Sequence, residues 1–363
     1  MSRKRVTIRD VAARAGVSIA TVSNVFNGAK PVNGELRRRV QQAAAALSYS
    51  PDRAASQLRS GHNRVVGVLV PDLDDVFFTS LISRLEVMAG KDGYDVIVAS
   101  SRDDVELERS RLRTLLAWRP SGLVAVPCSD AIPAVLREEA GQLPMVLADR
   151  LTLDDAFADM VTIDNFQAGE IAARYLVETG HSQIVVAASS LSIAPIRERV
   201  RGVRNIAQGA GCPVPIVLEL GSNAERGAET FVHWLERNPR PSAIFALTNV
   251  TTLSVLTGLA RRHIDVPERT SLIGFDDYPW MSARKTALTA IRQPVDEMAQ
   301  IIWRRLRLRM GGDEAAPHRI VLGASLQVRN SVAVRNGGAA DGLAVPDEPA
   351  AFAGPAGAPK LKH

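Results

Sequence analysis

The sequence predicts an all-α head followed by an α/β core of two doubly wound parallel sheets. Three observations carry that expectation. Through about residue 60, apolar residues recur at helical spacing between capping residues and glycines. After Gly61, short β-branched runs alternate with amphipathic stretches of 10–15 residues, the pattern of parallel strands covered by helices. The runs are too many for one comfortable sheet, so two subdomains are expected, with a cleft where their carboxyl edges face each other.

In the head, Ile8, Val11, Ala12 and Ala15 share one helical face, with Thr7 at the N-cap and Gly16 as the left-handed stop. Ser18 caps a second helix, Ile19 to Asn27, which Gly28 ends. Asn33 caps a third, running to about Leu47, and Pro51 breaks the chain before a short helical stretch, Arg53 to Arg59. In the core the strand-like runs are Val65–Val70, Asp95–Ala99, Gly122–Val126, Met145–Ala148, Ile184–Ala187, Ile216–Leu218, Ala243–Ala246 and Ser271–Ile273. Leu107–Ala117 and Ala168–Glu178 are examples of the helices between them. Residues 337–363 hold 8 Ala, 5 Gly and 4 Pro. They have little to bury, which predicts a disordered tail from about 335 onward.

Of 363 residues, 46% are hydrophobic and 23% charged, a globular balance. No run approaches the roughly 20 apolar residues of a bilayer span, and the opening residues lack the apolar stretch of a secretory signal. Cys128 and Cys212 are isolated, which excludes a cysteine-based metal cage and fits a reducing compartment. A cytoplasmic protein without a membrane partner is expected. The charge is uneven: residues 1–61 carry eleven Lys/Arg against three acids, net +8, and the remainder is net −3. A basic head on a weakly acidic body fits either a polyanion partner for the head or a solubilising tail.

Catalysis finds no foothold. A phosphate loop ending in Lys-Ser/Thr, a serine nucleophile elbow and a histidine pair at metal spacing are all missing from the sequence. No cofactor, no metal and no enzymatic activity are therefore expected. His181, in Thr179-Gly180-His181-Ser182, is read as ordering a turn.

The second helix is the strongest local signal. Val22, Val25 and Phe26 form a face that packs on Val11 and Ala12, leaving Ile19, Ala20, Ser23 and Asn24 outward. Small and polar residues on an exposed N-terminal face suit entry into a major groove. Thr21, Ser23 and Asn27 are short donors for phosphate oxygens. Asn24 suits adenine, and Ile19 and Ala20 suit thymine methyls. The competing reading is an ordinary solvated helix in a bundle. The coincidence of helix-turn-helix layout and positive charge in one segment favours nucleic acid.

Residues 6–61 resemble the headpiece of the lactose-repressor (LacI/GalR) family of bacterial transcription regulators. The stretches that carry the resemblance are Thr7-Ile8-Arg9-Asp10-Val11-Ala12, Gly16-Val17-Ser18, Thr21-Val22-Ser23, Leu47-Ser48-Tyr49-Ser50-Pro51 and Ala55-Ser56-Gln57-Leu58. In the body they are Pro71-Asp72-Leu73 with Phe77-Phe78, Asp164-Asn165, Gly180-His181, Arg199 with Gly202, and Ile273-Gly274-Phe275-Asp276-Asp277. The resemblance spans roughly residues 6–334. It implies a helix-turn-helix headpiece (1–50), a hinge helix (51–61) and a periplasmic-binding-protein-like core (62–334). Within the core it implies an N-subdomain of about 62–162 and 292–322, a C-subdomain of about 163–291 and 323–334, and three crossovers.

Further implications follow from the same resemblance. The partner would be double-stranded operator DNA read by a homodimer, on the bacterial nucleoid when bound. The DNA-binding set would be Thr7, Ser18, Ile19, Ala20, Thr21, Ser23, Asn24 and Asn27, with Ala55 and Leu58 in the hinge. Leu58 would wedge into the minor groove and kink the duplex; otherwise it is a linker residue packed on the body. A sugar or sugar-acid effector would lie in the cleft against Phe77, Phe78, Asp149, Arg150, Arg199, Asn249, Asp276 and Gln293. Plainer roles compete: core packing for Phe77 and Phe78, a turn cap for Asp276, a surface ion pair for Arg199. Trp280 is a weaker candidate.

Departures from the family pattern are informative. Thr248-Asn249 stands where many members have Asn-Asp, which removes a carboxylate and, with Arg150 and Arg199 near, favours a sugar acid over a neutral sugar. Asn24 replaces the Arg or His of some members, and Asp52 replaces a frequent Asn. Thr286-Ala287-Leu288-Thr289 lacks the usual proline. No leucine-heptad tail is present, which favours a dimer over a tetramer. A transporter's sugar-binding protein would have no use for the +8 head, and a sugar-modifying enzyme would need catalytic groups that the sequence does not offer.

Overall fold

The structure, a computed structural model, describes residues 6–27, 31–49, 63–151 and 157–335. The expected short helix 53–59, with Ala55 and Leu58, lies outside the described residues, as do 336–363 and the side chain of Asn27.

Three helices form the head: α1 (Ile8–Ala15), α2 (Ile19–Asn27) and α3 (Gly34–Ala46). Each start has a local cause. The Asp10 carboxylate accepts from the Thr7 N–H and from its hydroxyl, both at 2.8 Å. Ser18 Oγ accepts from Thr21 N at 3.1 Å, and Asn33 Oδ1 from Glu35 N at 2.9 Å. Gly16, at φ 62°, reverses the chain after α1. Arg39 Nη2 donates to Ala15 O at 2.6 Å and occupies the space a side chain at Gly16 would need. Val11, Ala12, Ala15, Val22, Val40, Ala43 and Ala44 make a small closed core, flanked by Val25, Phe26 and Tyr49.

The first lobe of the core begins with β1 (Val65–Val70), α4 (Val76–Lys91), β2 (Asp95–Ser100), α5 (Val105–Ala117), β3 (Gly122–Ala125), α6 (Ala134–Glu139), β4 (Met145–Ala148) and β5 (Asp159–Ile163). The chain then crosses into the second lobe. There follow α7 (Asn165–Glu178), β6 (Ile184–Ala188), α8 (Ala194–Gly209), β7 (Ile216–Glu219), α9 (Ala224–Arg237), β8 (Ala243–Ala246), α10 (Asn249–Arg261), β9 (Ser271–Phe275), α11 (Pro279–Ser282) and β10 (Thr289–Arg292). It returns through α12 (Val295–Met310) and β11 (Arg319–Leu322), and crosses once more to β12 (Ser325–Gln327).

The sheets have matching orders, β11-β5-β4-β3-β1-β2 and β12-β10-β9-β8-β6-β7. All pairings are parallel except that of β10 with β12. β1, β3, β4, β6, β8 and β9 are buried along their whole length, as helices on both faces require. Four strands go beyond the sequence reading: β5, β10, β11 and β12. β5 opens on a charged residue, Asp159, which Arg305 and Arg309 bond from α12. β10 ends on exposed Arg292, and β11 and β12 are half-exposed edge strands. None offers the long β-branched run that marks a central strand. Among the described residues, no helix is long and apolar enough to cross a membrane.

Candidate functional site

Two places combine geometry with chemistry. The first is α2. Its start is set by Ser18, whose Oγ also lies 2.9 Å from the Thr21 hydroxyl. Val22 is fully buried against α1, and this fixes which face turns out: Ser18, Ile19 and Ala20 are exposed, Thr21, Ser23 and Asn24 half-buried. Ile19 is 42% exposed, unusual for a large apolar side chain. An exposed apolar residue beside short polar ones is the surface a groove reader presents. Thr7, at the start of α1, is exposed, with its hydroxyl donating to Asp10.

The second place is the cleft between the lobes. A cavity of about 220 Å³ lies between the loops that follow the carboxyl ends of the strands of both sheets. From the first lobe come Asp72 and Asp75 after β1, Asp103 after β2, Cys128 after β3 and Arg150 after β4. From the second come Ser189, Ser190 and Ser192 after β6, Ser222 after β7 and Thr248 after β8. Open parallel sheets bind ligands at this edge.

Behind the cavity the structure brings together most of the polar residues singled out from the sequence. Arg199, on α8, is 4% exposed; its Nε donates to Asn165 Oδ1 at 2.9 Å and its Nη1 to Leu247 O at 2.6 Å. Its guanidinium lies 3.7 Å from the centre of the Phe275 ring. It is therefore no surface ion pair. Burial lowers its pKa to about 10, against the pull of Asp276 and Asp149. Asp276 follows β9 and accepts from Gln293 Nε2 at 2.7 Å and from Asn249 N at 3.2 Å. Burial, with Asp75 nearby, pushes its carboxyl up to about 7. Asp149 occupies the equivalent place after β4, and burial raises it too. Both aspartates have left-handed backbone, φ 61° and 79°, a conformation that Asp tolerates better than most residues.

Arg150 is half-buried, paired with Asp103 and stacked 5.5 Å over the Phe78 ring. Phe77 and Phe78 are 3% and 2% exposed, their rings edge to face at 5.2 Å, and belong to the hydrophobic core. Neither lines the cavity. Gln293 and Asn249 are buried, and Gln293 Oε1 and Asn249 Oδ1 lack a hydrogen-bond partner, as does the Tyr278 hydroxyl. His181 bonds Ala333 O at 3.1 Å and lies 3.3 Å from Ser242 Oγ, holding the turn after α7. Among the described residues, no group of three or more His, Cys, Asp or Glu could hold a metal ion.

The sequence reading passed over Asp75, Asp103 and the serines. The carboxyl-edge rule would have found them, since each follows a strand. Asp75 was disguised as a helix start: its Oδ1 caps α4 through Phe77 N at 2.9 Å.

A helical head that presents a groove-reading face, joined to a two-lobed core with a cleft at its strand ends, defines a DNA-binding regulator built on a ligand-receptor fold. The comparisons with known proteins agree. The family described as bacterial regulatory proteins, lacI family, matches residues 7–52, and a periplasmic binding protein-like domain matches residues 173–332. The HTH-type transcriptional repressor PurR of Klebsiella pneumoniae is 31% identical over 331 residues, covering 90% of this chain and 97% of the relative. The HTH-type transcriptional regulator DegA of Bacillus subtilis is 28% identical over 339 residues, 92% of this chain and 99% of the relative. Among solved structures, the lac repressor dimer bound to operator and the anti-inducer ONPF has a TM-score of 0.80 at 26% identity, covering 91% of this chain and 100% of that one. The CelR–cellobiose complex gives 0.66 at 28% identity, covering 90% and 100%. The chain belongs to the LacI/GalR family of DNA-binding transcriptional regulators.

Proposed function

We propose that this protein is a homodimeric repressor whose operator affinity is set by a small sugar-like effector bound between the lobes. The cavity at the facing strand ends, ringed by hydroxyls and carboxylates, is the observation that carries the effector reading. At about 220 Å³ it is smaller than the usual ligand pocket of roughly 300–1,000 Å³, so a monosaccharide-sized ligand fits better than a longer one. Asp149, Arg150, Arg199, Asn249, Asp276 and Gln293 are its polar contacts or their immediate supports. Phe77 and Phe78 shape the wall from behind.

A neutral sugar has more support than a sugar acid. The acid preference rested on the carboxylate lost at Asn249. Asp75 and Asp103 supply others in the same cleft, and an anion would meet them. A ligand switches the repressor only by its difference in affinity for two lobe arrangements.

Operator reading belongs to Ser18, Ile19, Ala20, Thr21, Ser23, Asn24 and Asn27 on α2, with Thr7 at the backbone. Ala55 and Leu58 complete the set on the strength of the family resemblance alone. One headpiece reads a half-site, so two copies are needed. The first lobe offers a surface for the second copy. β2 is an edge strand with half-exposed apolar residues, and Leu73, Val76 and Val87 are 43%, 40% and 51% exposed beside it.

Selection of duplexes from a random pool by the intact protein tests the reading. Enrichment of a near-palindrome, bound with an affinity that falls steeply with salt, is expected. A pool that never departs from random sequence would overturn it. Loss of residues 1–61 should abolish the selected binding and spare ligand binding.

A further inference from the structure

We infer that the effector bears a cationic amine, and that the cleft is built for an amino sugar or an amine-bearing polyol with Asp75 as its counter-charge. The inference rests on the effector reading above and deepens it.

The cleft is short of donors and rich in acceptors. Asp75 lines the cavity; its Oδ1 is engaged by Phe77 N, and its Oδ2 accepts no hydrogen bond among the described residues. On the opposite lobe Gln293 gives its amide nitrogen to Asp276 Oδ1, which fixes Oε1 as an acceptor. That oxygen is buried without a partner. An unpaired buried acceptor costs about 1–3 kcal/mol, so a site that keeps one is awaiting a donor.

The positive groups are already committed. Arg150 is paired with Asp103, and Arg199 donates to Asn165 and Leu247. Three carboxylates, Asp75, Asp149 and Asp276, therefore face two guanidinium groups, one of them neutralised by Asp103. Burial raises the carboxyls of Asp75, Asp149 and Asp276, and mutual repulsion adds to this at each. This is the state of a carboxylate cluster lacking its cation. A neutral hydroxyl brings one donor and no charge. An ammonium brings three donors and the missing charge. A carboxylate ligand would add to the repulsion.

The test uses the full chain and calorimetry at neutral pH. The probes are glucosamine, galactosamine and mannosamine, each beside its parent hexose and the matching aldonate. At least one amine is expected to bind about tenfold or more tightly than its parent. Asp75→Asn keeps the helix cap, since Asn caps as well as Asp. It should bring that ratio close to one and leave hexose affinity within about twofold. A hexose or aldonate that binds as well as its amine overturns the charge assignment while the effector reading stands. Silence from every probe overturns the inference and counts against the effector reading too.

Discussion

Asp130 of the first lobe holds Arg197 of the second. The aspartate lies in the loop after β3, and its Oδ1 also accepts from Ala194 N at 3.0 Å, at the first residue of α8. One carboxylate thus makes an ion pair and a helix cap across the cleft. The pair is partly exposed and contributes about 0.2–1 kcal/mol, while the cap adds on the order of 1 kcal/mol. Both are made only when the lobes are in this arrangement, so they bias the lobe equilibrium more than the fold. Asp130→Ala should leave the melting temperature of the core nearly unchanged and weaken effector binding about fivefold or more, because a ligand between the lobes uses the same approach. Calorimetry on the two proteins checks this; equal affinities would show that the contact plays no part in closure.

Two glycines set how closely α7 and α8 pack. A Cβ at Gly169 would lie 2.1 Å from Arg199 O, and one at Gly202 would lie 2.0 Å from Phe166 O. Both neighbours are backbone, so the helices themselves must part. Overpacking of this kind costs about 1–3 kcal/mol and more where backbone has to move. Gly202→Ala should lower the melting temperature by several degrees and, by shifting the segment that carries Arg199, weaken the effector site. Gly209 on the same helix has open space around it. Gly209→Ala should instead stabilise by about 0.5–1 kcal/mol. Scanning calorimetry of the pair separates a packing effect from a general intolerance of alanine in α8.

The sequence made the head and the central strands legible because their signals are local. α2 runs Ile19–Asn27 as the periodicity and Ser18 predict, and β1, β4 and β8 coincide with their apolar runs. β5, β10, β11 and β12 escaped because strands of three to five residues owe their pairing to neighbours far off in the chain, which no window of sequence contains. The cleft was legible in the same uneven way. Arg199 and Asp276 came to notice through family motifs, not through anything in composition. Asp75 was hidden by its second role as a cap. The burial of Phe77 and Phe78 depends on how α4 packs under Arg150, a tertiary fact.

Asp276 gives the core a pH dependence with a definite sign. Its carboxyl titrates near 7 in the folded protein, against 3.8 as its ordinary value. Between about pH 4 and 7 the folded state therefore binds more protons than the unfolded one, and stability falls as pH rises through that window. Asp75 and Asp149 are raised as well and add to the same slope. The core's melting temperature should drop from pH 5 to pH 7.5, and Asp276→Asn should make the profile shallower. An unchanged slope in the variant would assign the protons to the other two carboxyls.

The head offers the sharpest separation of binding from folding. Val22 is fully buried in a core of only seven closed residues, five of them from α1 and α2 or their junction with α3. Trimming it to alanine loses roughly half or more of the 1.5–3 kcal/mol that burying such a side chain contributes, and a cavity adds to the loss. So small a core has little stability to spare. Val22→Ala should therefore disorder the face that presents Ile19, Ala20 and Asn24 and abolish operator binding. The two sheets share no core with it, so their melting transition and the heat of effector binding should match those of the parent protein. Anisotropy with operator duplex and calorimetry of the core read the two halves independently. A variant that still bound operator with parental affinity would show that α2 does not depend on the packing that fixes its outward face.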